Sequence, residues 1–556
     1  MKLAIYLACS VAFFFIVPNH AKAQPNITDS IYVLQKICHG NEQGYINIQS
    51  TLYNSIFAIG ATQNPDGLGS GGTQLDMKLC KMNSSFDTLW SVVYGGLNTD
   101  YLNKLEELPN GNLVLAGYCE SKDGTLQGVA HSNYGREAWV IVIDTLGNIL
   151  HQKCFGGSGG AQLYALHVDE RSNIYIGGNT NVADYDFAHS FGSPNDAWMI
   201  KLDSSLNHQW TKIWGGNDDD GIGFIGKGLT NNTIMASFYT WSTDALLGSN
   251  GSIGLADGMI MQLDTSGNEI WSKRYGGSQP DGFGKIMPDS IHRCYYLAGT
   301  SGSIDGDIQY KTDSTFYLGE YKGNDWIARI DSVGNLLCSK AYGCKLVDTN
   351  QFWGQHQPVY VDAMWHNDAV WYTSHVEGGN GDFPPNSEFS REDFWIAKID
   401  SQCNLRGKYI VNTNFKNDIS VNFFKVGNSL KLNGASAFLF SNNDPNTFSC
   451  DTSKNLRFVL ELGDAPLSNG SQEKPHLINW QVYPNPAQEK CMIQLENEIN
   501  QSFTLIVTNS QGQVVWSKKI KNKSNYLLNT QAFTKGLYFI TLKTSTTQST
   551  RQILIQ

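Results

Sequence analysis

The chain has 556 residues, of which 16% are charged and 55 are glycine, and its formal net charge is −11. That length exceeds one ordinary core and argues for two or more domains. Low charge with abundant Gly, Asn, Ser and Thr excludes a coiled coil and a disordered polymer. The charge is uneven: residues 480–556 carry 8 Lys and Arg against 3 Glu, whereas 24–479 carry 30 basic against 48 acidic residues, a body that repels nucleic acid.

Taken in order, the first residues read as an export signal. Lys2 precedes an apolar run from Leu3 to Val17, Pro18 breaks it, and Ala21-Lys22-Ala23 is a small-x-small cleavage site. The run is shorter than the roughly 20 residues of a membrane span, and no later stretch qualifies, so no transmembrane span is expected in the mature chain. Cys9 falls inside the signal, which leaves 10 cysteines for the exported part. An even number there permits disulfides, yet the spacing dictates no pairing and no zinc set.

From Leu75 onward one pattern repeats. In DGMIMQLDTSGNEIWSKRYGG, residues 257–277, an apolar run is followed by a turn at Ser266-Gly267-Asn268 and a second run ending in Gly-Gly. Gly and Asn tolerate the left-handed backbone of a tight hairpin, so the segment reads as two antiparallel strands. The position closing the first run recurs as Asn83, Asp144, Asp203, Asp264, Asp331 and Asp400, at spacings of 61, 59, 61, 67 and 69. A further step of 63 reaches Gly463, after the strand-like RFVLEL. Between the hairpins lie further strand-like runs, such as GNLVLAG from Gly111 and CYYLAG from Cys294, giving four short strands per period. A period above 40 with four strands signals a propeller blade.

The ends complement one another. YVLQKICHG at 32–40 looks like the second half of a repeat without its first half, and 457–462 looks like a first half without its second. Their pairing closes a ring of seven blades with no open sheet edge. The Asp-x-Trp, Asp-x-x-Gly-Asn and Gly-Gly landmarks resemble those of the seven-bladed repeat propellers of secreted bacterial proteins. That resemblance implies fold more than function.

A polar linker at 465–479 leads to alternating runs that read as a small Ig-like β-sandwich. Tyr483-Pro484-Asn485-Pro486, a hairpin turn at Ser510-Gln511-Gly512, the element Lys535-Gly536-Leu537-Tyr538 and the final Ile553-Leu554-Ile555 occur in order. They resemble the type A C-terminal sorting domain of the type IX secretion system of the Bacteroidota. The resemblance implies recognition by the type IX machinery through Tyr483, Pro484, Asn485, Pro486, Gly512, Gly536 and Tyr538. It also implies delivery outside the cell, with the cargo secreted or attached to the surface.

Candidate chemistry lies in the loops. Gly156-Gly157-Ser158-Gly159-Gly160 spells a nucleophile elbow and 221–226 a dinucleotide fingerprint, but neither has the required strand–turn–helix setting. The tryptophan columns, Trp139, Trp198, Trp326 and Trp395 with Trp90, Trp210 and Trp271, suit packing between blades. Strand direction puts the Gly-Gly loops and the long loops at 300–323 and 375–392 on one face. That face is expected to bind a ligand through Asp100, Asp220, Asp281, Tyr317, Tyr321 and Phe383. These acids serve equally as turn caps. Asp305 and Asp307 are the candidate ligands for a calcium ion, the one cofactor contemplated.

The sequence therefore predicts an all-β chain: a signal at 1–23, a seven-bladed β-propeller at 24–464, a linker at 465–479 and a sorting domain at 480–556. Its expected role is binding or adhesion at the cell surface, toward a glycan or a protein. The alternatives are a polysaccharide hydrolase or lyase, and a structural spacer.

Overall fold

The computed structural model describes residues 31–40, 45–51, 55–63, 75–83, 86, 88–130, 135–187, 191, 194–244, 256–303, 305–308, 324–342, 362–376, 393–411, 421–427, 429–436, 456–464, 480–483, 487–495, 503–509, 514–520, 525–543 and 548–555. The signal, the linker, Tyr317, Tyr321, Phe383, Pro484, Asn485, Pro486 and Gly512 lie outside them. Two compact units divide the chain, 1–465 and 466–556.

In the first unit, six four-stranded antiparallel sheets follow one another along the chain. The first holds Tyr45–Ser50, Ile56–Gln63, Leu75–Met82 and Thr88–Tyr94. The second holds Asp100–Glu107, Leu113–Cys119, Glu137–Ile143 and Ile149–Phe155. The third holds Ala161–Val168, Ile174–Thr180, Asp196–Leu202 and His208–Trp214. The fourth holds Asp220–Lys227, Thr233–Thr240, Asp257–Asp264 and Glu269–Tyr275. The fifth runs from Asp281–Asp289 through Cys294–Ser301 and Asn324–Asp331 to Leu336–Tyr342. The sixth runs from Asp362–His366 through Ala369–Val376 and Asp393–Ile399 to Leu405–Val411.

A seventh sheet joins both ends of the unit. Val421–Val426, Ser429–Ser436 and Leu456–Asp464 are completed by the N-terminal strand Ile31–Gly40, with Val33 opposite Leu462 and His39 opposite Arg457. The first strands of consecutive sheets touch around a closed circuit, the seventh meeting the first through Val421–Val426 and Tyr45–Ser50. This is a β-propeller, with the first strand of each sheet innermost.

Its core is distributed between neighbouring sheets rather than held at one centre. Trp139, Trp198 and Trp326 are all 0% exposed. Trp139 packs with Phe57 and Leu79 of the first sheet, Trp198 with Val140 of the second, and Trp326 with Ile260 of the fourth. Each sheet is apolar on both faces and cannot bury both alone, so stacking in a ring is what stabilises it. The side chain of Trp395 lies outside the description.

The hairpin turns opposite the Gly-Gly loops are built by one device. Asp264 Oδ1 accepts from the N–H of Ser266 and of Asn268, at 2.8 and 2.9 Å, while its Oδ2 accepts from Asn268 Nδ2 at 3.0 Å. Asp144, Asp203, Asp331 and Asp400 repeat this set with their own Asn four residues on. The repeat therefore needs Asp and Asn at that spacing, and the left-handed φ of +79° at Gly267 explains the glycine between them.

Residues 480–556 fold by themselves into two sheets. Trp480–Tyr483, Lys490–Leu495 and Asn525–Asn529 form one. Phe503–Asn509, Val514–Ile520, Gly536–Lys543 and Gln548–Ile555 form the other. Ile493 and Leu528 from one sheet and Leu505, Ile540 and Ile553 from the other share a single apolar core.

Candidate functional site

The Gly-Gly loops are gripped by acids. Asp100 Oδ2 accepts from Gly96 N–H at 2.9 Å and its Oδ1 from the N–H groups of Glu120 and Ser121. Asp281 Oδ2 accepts from Gly277 N–H and Ser303 Oγ, both at 2.7 Å, and Asp220 Oδ2 from Ser242 Oγ at 2.7 Å. All three carboxyls are buried. Burial is the main cause that raises their pKa values, to about 6 for Asp220. The face expected to carry ligand contacts thus holds Asp100, Asp220 and Asp281 beneath its surface, bonded to their own loops.

A second set of acids, which the repeat pattern did not isolate, completes the grip. Asp123, Asp184 and Asp305 each use Oδ1 to accept from the N–H following a Gly-Gly pair, at Leu97, Ser158 and Ser278, at 2.8–2.9 Å. Asp186 and Asp307 accept from the N–H of Gly156 and Gly276. A Cβ on Gly277 would sit 2.4 Å from Asp305 Oδ1, so glycine is required for the approach. Asp305 and Asp307 are thus clamps on this loop. Among the described residues no group of three or more His, Cys, Asp or Glu is placed to hold a metal. The signal was legible as Asp-Gly-Thr at 123–125, Asp-Tyr-Asp at 184–186 and Asp-Gly-Asp at 305–307.

Next to these clamps along the innermost strands lies a cluster that the sequence reading missed. Tyr101 pairs across the second sheet with Tyr118, and their rings stack at 5.5 Å. The Arg136 guanidinium lies 4.4 Å over the Tyr118 ring and its Nε donates to Glu120 Oε1 at 2.7 Å. At the same level of the third sheet Gln162 pairs with Asn179, and Tyr164 donates its hydroxyl to Gln162 Oε1. Asn179 Nδ2 donates to Tyr239 Oη of the fourth sheet at 2.8 Å.

Tyr164 occupies a β-bulge. The same irregularity skips Asn103 in the second sheet, Gly223 in the fourth and Gly284 in the fifth. A bulge re-aims its side chain, here on the strands that line the axis. Tyrosines and amides thus wall the second to fourth sheets, while a Cβ on Gly282 or Gly284 of the fifth would meet nothing within 4 Å. Asn179 is 7% exposed, and its Oδ1 is buried without a hydrogen-bond partner among the described residues.

One level deeper, the residue after each bulge is Lys104, Ala165, Phe224 or Lys285. Lys104 feels the charges of Lys285 and Asp362, which stand three and four sheets further round the ring. Lys285 Nζ bonds Asp362 Oδ1 at 2.9 Å, and the other Asp362 oxygen accepts from Phe423 N–H at 2.7 Å. Burial first, then Lys285, push the Lys104 ammonium down to about 8.

The comparisons now bear on export. Residues 481–556 match the family described as secretion system C-terminal sorting domain. This tail is a secretion sorting domain. It carries the propeller out by type IX secretion, to the cell surface or beyond. Within the tail, Tyr483 is exposed and donates to Gln494 Oε1 at 2.6 Å. Gly536 takes a φ of +153°, and Tyr538 is buried with its hydroxyl on Thr534 O at 2.9 Å. Among the described residues no helix is long and apolar enough to cross a membrane.

No curated protein matches the chain. Among solved structures it is similar to the Neurospora crassa Pan2 WD40 domain, at 8% identity over 79% of this chain and 97% of that one, with a TM-score of 0.41. It is also similar to polysaccharide lyase Uly1, at 7% identity over 76% and 91%, TM-score 0.42. A member of the DUF4221 family from Bacteroides vulgatus matches at 8% identity over 79% and 99%, TM-score 0.33.

Proposed function

We propose that this exported propeller is a saccharide-binding module whose site is the channel mouth on the Gly-Gly face. The observation that carries the reading is the meeting there of Tyr101, Tyr118, Tyr164 and Tyr239 with Arg136, Asn179 and an open stretch at Gly282 and Gly284. Sugar rings offer apolar CH faces to aromatic rings and hydroxyls to amides and charged groups, and this wall supplies both kinds of contact. The buried Asn179 Oδ1 is an acceptor suited to a ligand hydroxyl. Within this reading Asp100, Asp220 and Asp281 hold the rim rigid from below. Tyr317, Tyr321 and Phe383 lie outside the described residues and enter this reading only as contacts expected from the sequence.

The test is a glycan array on the full mature chain, followed by titration of a binding oligosaccharide against the wild type and Tyr101→Ala/Tyr118→Ala. Truncating central aromatics should weaken binding about tenfold or more. Equal affinity of the double variant would contradict this site. A polysaccharide hydrolase or lyase is the second reading, in which Lys104 of an innermost strand, pushed down to about 8 by burial, would act as a general base. Release of shorter saccharides by the wild type would establish it.

A further inference from the structure

We propose that Cys119 and Cys154 are joined by a disulfide in the exported chain. Both stand in the second sheet, Cys119 at the end of its second strand and Cys154 in its fourth. On the strand between them Cys119 lies opposite Glu137 and Cys154 opposite Trp139, which puts both side chains on one face of the sheet. That face packs on the first sheet, where the two thiols are 1% and 0% exposed. Their sulfurs are 3.3 Å apart. A disulfide spans about 2.05 Å, so the two atoms have roughly 1.2 Å left to close.

Compartment and chemistry both favour the bond. The sorting tail takes this chain out of the cytosol, and beyond the cytosol no reductant pool keeps adjacent thiols reduced. Oxidation removes one proton from each thiol and two electrons from the pair, and a disulfide-bearing protein oxidant accepts those electrons. One thiolate opens the oxidant's S–S bond and forms a mixed disulfide, releasing one oxidant thiol. The second thiolate then displaces the other oxidant sulfur as a thiol. Once folded, the pair is a poor nucleophile, because the hydrogen bond between the sulfurs, and then burial, raises the pKa of the Cys154 thiol. The exchange therefore belongs to folding, before the first sheet covers the pair.

The bond would anchor the rim of the mouth, whichever ligand the mouth takes. Tyr118 precedes Cys119, and the N–H groups of Glu120 and Ser121 that follow it are held by Asp100 Oδ1. Cys154 leads into Gly156, whose N–H is held by Asp186. A covalent link between the two cysteines thus joins the stems of two clamped loops.

The experiment takes the full chain after export by cells that have type IX machinery, unfolds it in denaturant with N-ethylmaleimide present, and digests it with trypsin. Cleavage after Lys104, Lys122, Lys153 and Arg171 puts Cys119 in peptide 105–122 and Cys154 in peptide 154–171. Mass spectrometry should find these two peptides linked and unlabelled, parting only on reduction. In Cys119→Ser the abandoned Cys154 should take up the label. Maleimide on both cysteines of the exported wild type would overturn the proposal, whatever the state of Cys338 and Cys403. A link from either cysteine to a different partner would overturn it as well.

Discussion

Aspartate does two opposite jobs in this chain, and burial separates them. In the hairpin turns, hydrogen bonds to Asn and to backbone N–H hold the carboxyls of Asp144 and Asp264 below their ordinary values, and Asp203 and Asp331 are lowered as well. Such groups contribute stability above the unfolded value of about 3.9, and lose it as pH falls through their depressed values. Asp220 behaves in the reverse sense, because burial raises it to about 6. Between roughly pH 4 and 6 the folded form then binds more protons there than the unfolded form, so its contribution falls as pH rises through that window. Melting temperatures of the wild type and Asp220→Asn from pH 7.5 to 5 should show the wild type gaining on the variant as pH drops. A constant or shrinking difference would mean that Asp220 is not desolvated as described.

At the scale of elements, sheets are joined by side chains as well as by apolar surface. Cys338 of the fifth sheet is bonded to Cys403 in the turn before the last strand of the sixth, across 65 residues of sequence. Closing a loop of that size restrains the unfolded chain by roughly 4 kcal/mol in the chain-entropy account. Cys338→Ser/Cys403→Ser should therefore melt several degrees lower than the wild type, and an unchanged melting temperature would show the bond to be dispensable. This pairing was not legible in the sequence, because cysteines scattered at blade intervals fit many partners. The strands were legible, since Asp-x-x-Gly-Asn and Gly-Gly encode local turns that each repeat must make. The mouth was not. Tyr101, Tyr164 and Tyr239 stand on three successive sheets, one of them at a bulge, and none of these placements is a property of neighbouring residues. The Gly-Gly loops were legible as well, yet their acids turned out to serve the loops themselves.

At the scale of the molecule, a propeller whose first and last strands close one sheet is followed by a separate tail that folds over its own core. Two compact units with distinct cores predict that loss of the tail leaves the propeller intact. Deleting 480–556 should yield a chain with an unchanged propeller melting transition that accumulates in the periplasm. Normal appearance outside the cell would show that export does not depend on the sorting domain. The claim that joins the scales is that the exported ring presents its binding site at the axis, on the Gly-Gly face. Hydrogen exchange of the full mature chain, with and without the oligosaccharide that binds it best, addresses that claim directly. Protection confined to segments 97–104, 118–121, 162–165 and 239–242 is the predicted result. Protection centred instead on the opposite hairpins at Ser266-Gly267-Asn268 and their counterparts would contradict it.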